Sequence, residues 1–197
     1  MAMETGLIGN ARSAGAAGTG LALSRRKFVS LATAAAGAAV FGSPPVLAQA
    51  AGWREYRRDD LGYRVEFPGE PTVENEEDEF KDPWIKTVDA KVVYRGTLMG
   101  VSYTEFTRAE PADETFATVR VGASRAGFPM TREIPLLLNG YPAREFIAET
   151  DHFNIIHRVI VMEKVTISVQ AVGDRDIHRS AEVRRFLDSF KLLRNRP

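Results

Sequence analysis

The sequence predicts an α+β fold: a largely antiparallel twisted sheet of about six to seven strands covered by two main helices. Three observations predict it. Segments that alternate apolar and polar residues arrive in adjacent pairs joined by short turns, so the strands come as hairpins. Two other stretches space their apolar residues three and four apart, the period of a helix face. Those two faces need a surface to bury against, and the sheet is the one available.

Tyr63-Arg64-Val65-Glu66-Phe67 alternates cleanly and stops at Pro68-Gly69, so it is predicted as a half-buried strand with Tyr63, Val65 and Phe67 inward. From Glu70 to Asp82 the acids Glu74, Glu76, Glu77, Asp78 and Glu79 crowd together and predict a solvated loop. Ile85 to Tyr94 carries Val88, Ala90, Val92 and Tyr94 on one parity. Arg95-Gly96 turns the chain, and Leu98 to Phe106 returns with Val101 and Tyr103 on one face.

After Pro111 the period changes. Phe116, Val119, Ala123 and Ala126 fall on one side of a helix predicted over Glu114 to Ala126, with Asp113 as N-cap, Gly127 at the C-terminal cap and Pro129 blocking continuation. Asn139-Gly140 is the strongest hairpin signal, since both residues tolerate the positive φ of a type I′ turn. Ile134 and Leu136 are then expected opposite Phe146 and Ala148, or near that register. Ile155 to Met162 and Val165 to Val172 form a further hairpin about Glu163-Lys164. In its second arm Val165, Ile167, Val169 and Ala171 share the better-covered face. Val183, Phe186, Leu187 and Phe190 mark a second helix over roughly Ile177 to Asp188, with Asp174 and Asp176 as caps, and Leu192-Leu193 a last short strand.

The first 50 residues read differently. Arg25-Arg26 precedes an apolar run from Phe28 to Phe41, followed by Pro44, Pro45 and the small-x-small site Ala48-Gln49-Ala50. No charged residue lies between Phe28 and Trp53. This order is that of a cleaved export signal, and the adjacent arginines with Phe28 two positions on resemble the twin-arginine class. The expected division is a signal peptide over 1–50, cut after Ala50, and a single domain over 51–197. The resemblance implies the twin-arginine export machinery and signal peptidase as partners and the periplasm as destination. An uncleaved leader anchored in the inner membrane is the alternative. Gly42, Pro44 and Pro45 interrupt the run short of the ~20 apolar residues a span needs, so no stable membrane span is expected after cleavage.

The whole chain balances 26 Lys and Arg against 26 Asp and Glu. The leader holds Arg12, Arg25, Arg26 and Lys27 against Glu4, so the mature chain carries a formal net charge of −3. A mildly acidic domain gives no electrostatic case for nucleic acid and no strong one for anionic lipid. There is no cysteine, which excludes disulfides, thiolate-held iron–sulfur clusters and Cys-attached haem.

Tyr63-Arg64-Val65-Glu66-Phe67-Pro68-Gly69-Glu70-Pro71, Asn139-Gly140-Tyr141-Pro142-Ala143-Arg144-Glu145 and Arg185-Phe186-Leu187-Asp188-Ser189-Phe190-Lys191-Leu192 together resemble the opening, central turn and closing segment of a diffuse group of exported bacterial domains. That group is associated with the Mog1p/PsbP-like α/β/α sandwich. The resemblance implies a partner-binding or accessory role and brings no catalytic motif, so it carries no site.

Other chemistry is thinly signalled. His152, His157 and His178 are too scattered to predict a metal centre. Ser102, Ser124, Ser168, Ser180 and Ser189 lack a nucleophile elbow, with Ser189 placed for capping. No phosphate-binding glycine loop is present. Arg54, Arg57 and Arg58 with Trp53 and Tyr56, and separately Arg184 with Arg185, form basic patches, the first expected to be a frayed, solvated segment. Trp84 and Tyr141 are the candidate contact surface. The function expected is a non-enzymatic periplasmic binding or accessory domain, without cofactor, for an envelope protein or component. Alternatives are a small-ligand carrier lined by Phe67, Tyr94, Tyr103 and Phe116, and a Ser/His hydrolase.

Overall fold

A computed structural model of the chain describes residues 52–77 and 86–193. The leader, with Arg25, Arg26, Phe28, Ala48 and Ala50, lies outside the described residues, as does Trp84. The fold is α+β with two antiparallel sheets. A three-stranded sheet contains β1 (Arg54–Arg58), β2 (Tyr63–Phe67) and β10 (Lys191–Leu192) in the order β1-β2-β10. A seven-stranded sheet contains β3 (Thr72–Glu77), β4 (Lys86–Tyr94), β5 (Thr97–Glu105), β6 (Met130–Leu138), β7 (Tyr141–Glu149), β8 (Asn154–Met162) and β9 (Val165–Gly173) in the order β3-β4-β5-β9-β8-β7-β6. Helix α1 (Ala112–Arg125) carries the chain from β5 to the far edge at β6. Three hairpin turns then bring it back until β9 pairs with β5. Helix α2 (Ala181–Ser189) follows β9.

Alternation assigns each strand residue to a face. On one face, Val88, Ala90, Val101, Tyr103, Ile160, Ile167, Val169 and Ala171 pack with Tyr63, Val65 and Phe67 of β2 and with Val183, Phe186 and Leu187 of α2. Phe67 and Phe186 meet with ring centroids 5.2 Å apart, and Tyr63 stacks on Phe190 at 5.8 Å. On the opposite face, Phe116 and Val119 of α1 cover Phe146, Val159 and Val161. Truncating a core aromatic such as Phe186, which is fully buried, costs about 3–5 kcal/mol in settings of this kind.

Turn chemistry sets the registers. Asn139 (φ 49°) and Gly140 (φ 84°) adopt the predicted left-handed pair, as do Arg95 (φ 48°) and Gly96 (φ 79°). A two-residue turn at 139–140 puts Leu138 opposite Tyr141, so Ile134 faces Glu145 and Leu136 faces Ala143. That corrects the expected partners Phe146 and Ala148: loop length fixes register, and the apolar pattern alone did not.

Four further expectations are corrected. Arg54 to Arg58 is not a frayed segment but β1, zipped along the whole of β2. The acidic run is not wholly a loop: Thr72–Glu77 is the edge strand β3, whose Glu74 pairs with Lys91 of β4 at 2.8 Å. Edge strands tolerate charge because their side chains need not enter a core. Asp113 does not cap α1. Pro111 occupies that position with no side-chain hydrogen bond, and Asp113 and Glu114 instead sit in the first turn, where the helix dipole favours acids. The second helix is broken: Ile177–Arg179 is a short 3-10 turn, and α2 begins only after Ser180, whose hydroxyl accepts from Val183 N at 3.2 Å. Asp176 makes no side-chain cap bond.

Candidate interaction surfaces

Two surfaces concentrate chemistry. The first is one half of the face that α1 partly covers. Its apolar packing on β7 and β8 reaches β5 and β9 at one end only, where Leu98 and Val172 pack with Ala148 and Ile155; the three rungs beyond it on β4, β5 and β9 are polar. Thr87, Thr104 and Thr166 form one cross-strand rung, Asp89, Ser102 and Ser168 the next, and Lys91, Gly100 and Gln170 a third. Most of these side chains are half-buried. Thr87 Oγ1, Thr166 Oγ1 and Gln170 Nε2 are buried atoms with no hydrogen-bond partner. Each unmet polar group of this kind costs about 1–3 kcal/mol, so their grouping on one half-face is notable. His157 continues the third rung, between Gln170 and Phe146. Burial pushes its pKa down to about 4.

The second surface is the outer side of the three-stranded sheet. Tyr63, Val65 and Phe67 point into the core, so Arg64 and Glu66 point out. Directly opposite residues in an antiparallel pair share a side, which places Arg57, Arg64 and Lys191 in one row across the three strands and Glu55 beside Glu66 in the next. Helix α2 lies alongside β2 where β10 ends. The Glu66 amide donates to Ser189 Oγ at 2.9 Å, and Ser189 donates to the Phe186 carbonyl at 2.7 Å, the capping role expected for it. Arg185 donates to Glu66 at 2.8 Å and lies 4.4 Å over the Trp53 ring. The structure thus joins two basic patches that stand far apart in the sequence. Two ion pairs relieve part of the like-charge repulsion: Arg64 with Glu55, diagonally across the strands, at 2.6 Å, and Arg57 with Asp59, two residues on in the chain, at 2.8 Å.

The other flagged residues are dispersed. Tyr141 opens β7, half-buried against the main core. His152 and His178 are exposed and His157 is buried. Among the described residues no three His, Asp or Glu side chains are grouped to hold a metal ion. Phe67 and Tyr103 belong to the main core, Phe116 lies on the other face of the sheet, and Tyr94 lies beneath Arg95. These four aromatics therefore line no common pocket. A shallow polar cleft at one end of the sheet is lined by Glu149, Thr150, Asp151, Asn154 and Arg175, with Gly127 and Pro129. Its main contacts are internal: Asn154 donates to the Arg175 carbonyl, and Arg175 Nε to the Asp151 carbonyl at 2.8 Å. No described helix is long and apolar enough to cross a membrane.

The chain matches no protein family model and no curated protein. Among solved structures it is similar to the cyanobacterial PsbP protein (CyanoP) of Synechocystis sp. PCC 6803, at 12% identity and a TM-score of 0.48, over 77% of this chain and 98% of that one. It is also similar to PA94, a protein of unknown function from Pseudomonas aeruginosa, at 9% identity and a TM-score of 0.36, over 74% of this chain and 98% of that one. At these values the α+β assignment stands on the strands, helices and registers themselves, and no functional residue is transferred.

Proposed function

We propose that the protein is an exported, non-enzymatic binding or accessory domain that works in the periplasm, and that its partner is an envelope protein. The observation that carries this reading is the polar half-face of β4, β5 and β9. A monomer gains nothing by leaving Thr87, Thr166 and Gln170 with unmet hydrogen-bonding atoms under half-buried neighbours. A partner docking there meets the half-buried hydroxyls of Ser102, Thr104 and Ser168, small side chains that stand on adjacent rungs. The export part rests on Arg25, Arg26, Phe28 and the Ala48-Gln49-Ala50 site.

The test is export followed by capture. The full chain is expected in the periplasmic fraction at the mass of residues 51–197, and the R25K/R26K variant is expected unprocessed in the cytoplasm. From the envelope fraction, the wild-type chain should enrich a discrete protein that an S102R/S168R variant does not. Processing of the lysine variant at the normal rate would refute the route, and equal enrichment by the two chains would refute the face.

A further inference from the structure

We propose that what the partner lays on the polar half-face is an α-helix, set alongside α1 over β4, β5 and β9 and presenting small polar residues to it. This rests on the reading of that half-face as the partner site and adds the form and chemistry of the segment that docks there.

Helix α1 runs along the strands. Ala112, at its start, packs on the cluster that holds Val161, and Phe128, just past its end, on the cluster that holds Ile155. Val161 and Ile155 stand at opposite ends of β8. Neighbouring strands lie ~4.8 Å apart, so β4, β5 and β9 make a strip about 14 Å wide. A helix with its side chains is about 10–12 Å across. From the rung of Thr87 to that of Val93 the strip extends about 20 Å. Its area of about 300 Å² is well short of the ~800 Å² that each side of a stable complex of two globular proteins buries. The strip therefore suits one helix of about four turns, and not a second copy of this chain or the flank of a whole domain.

The side of α1 that borders the strip is low. Arg120 donates to Glu133 of β6, which turns that flank of α1 away from β9. Thr118 lies about 200° round the helix from Arg120, on the other flank, with Thr115 and Gly122 on either side of it. Small side chains there admit a neighbouring helix at the usual axis separation of about 8–10 Å.

Backbone chemistry disfavours an extended segment. β4, β5 and β9 each have a strand on both sides, so their main-chain groups are spent within the sheet. An extended peptide adds to a sheet at an edge. Laid over the face it leaves its own N–H and C=O groups without protein partners, whereas a helix brings its backbone bonds with it. The floor sets what the helix presents. Ser102, Thr104 and Ser168 are half-buried hydroxyls, and a continuous apolar stripe would cover them unpaired, at a cost. Ser, Thr, Gln and Ala fit them. One apolar residue has a place at the end of the strip, where Val93, 70% exposed, stands directly opposite Leu98.

The test reads a spacing. In cells producing the full chain, a photoreactive residue is placed singly at Thr104, Ser168 and Gln170, on three successive rungs, and the residue trapped in the partner is located by mass spectrometry. One rung is two strand residues, about 7 Å, so the trapped position is expected to advance by about four or five residues per rung along a helix, against two along an extended chain. T118W, which fills the strip from its α1 side, is expected to lose most of the Ser168 band, and V121W, at an exposed position elsewhere on α1, to keep it. A two-residue step, trapped positions scattered over distant parts of the partner, or equal bands from T118W and V121W would overturn the helix and leave the face as the partner site. No band from any of the three positions would overturn both readings.

Discussion

The guanidinium of Arg158 on β8 lies 2.8 Å from the carboxylate of Glu145, the residue directly opposite it on β7. Both side chains are about five-sixths buried, on the face that carries the main core. Arg158 also donates to the Leu187 carbonyl at 2.7 Å, in the last turn of α2. A cation there complements the negative end of the helix dipole. This one side chain therefore fastens α2 to the centre of the seven-stranded sheet. Replacing Arg158 by Ala leaves Glu145 buried without its ion partner and is expected to cost about 3 kcal/mol. The double variant E145L/R158M should recover most of that loss, because apolar groups of similar volume carry no desolvation penalty. Urea unfolding of the three chains checks it: a double variant as unstable as R158A would show that the charge itself is required.

His157 predicts a pH dependence. Its folded pKa of about 4 lies below the ordinary value of 6.5, because burial disfavours the charged ring. A depressed pKa means that the contribution to stability is complete above pH 6.5. It is lost as pH falls from 6.5 to 4, where the unfolded chain binds a proton that the folded chain refuses. The gap corresponds to about 3 kcal/mol. Stability measured from pH 7 to pH 4 is expected to fall less steeply in H157Q than in the wild type. Parallel curves would show that the ring is solvated or charged in the folded protein.

Gly173 closes β9 against the next turn. A Cβ added there would stand 2.6 Å from Ile177 Cγ2 and 2.8 Å from Thr97 Oγ1. Ile177 is β-branched and buried and gives way poorly. G173A is therefore expected to lower stability by about 1–3 kcal/mol, as overpacking does. G173A/I177V, which keeps Cβ branching but trims the ring of contacts, should stay low, whereas G173A/I177A should lose less than the sum of its parts. Strict additivity in a thermal unfolding series would exclude the contact.

Glu133 sits between two arginines. Burial pushes its pKa up, but hydrogen bonds from Arg144 and Arg120 leave it below the usual value. Arg144 also lies 4.7 Å over the Phe116 ring, so the cluster ties α1 to β6 and β7. E133Q is expected to loosen α1 by about 1 kcal/mol, since hydrogen bonds to charged groups are worth somewhat more than neutral ones. Hydrogen exchange should show this as lower protection along Ala112–Arg125, with β8 and β9 unchanged. Uniform loss across all elements would contradict it.

What the sequence discloses follows from where the free energy lies. β2 and the 139–140 hairpin are legible because alternation and left-handed turn residues act locally. β1 has Tyr56 as its one apolar residue, and β3 has Val73 alone among three acids and two neutral polar residues, so neither carries a pattern. Both exist because a neighbouring strand offers a ladder of backbone bonds. The break at Ser180 is a local cap that competes with a longer apolar stripe, and the cap wins. The polar half-face is written in the sequence only as the unremarkable alternates Thr166, Ser168 and Gln170. Register is what sets them beside Thr104 and Ser102. In the same way Arg57, Arg64, Lys191 and Arg185 become one surface only when β10 and α2 return to β2.

The most direct test of the binding reading is site-specific photocrosslinking in cells producing the full chain. A photoreactive residue is placed in turn at Ser102, at Ser168 and, as control, at Val121, which is exposed on α1. One discrete crosslinked band from the envelope is expected at Ser102 and Ser168 and none at Val121. Absence of a band at both serines, or the same band from Val121, would contradict the claim that the polar half of the sheet is where this protein meets its partner.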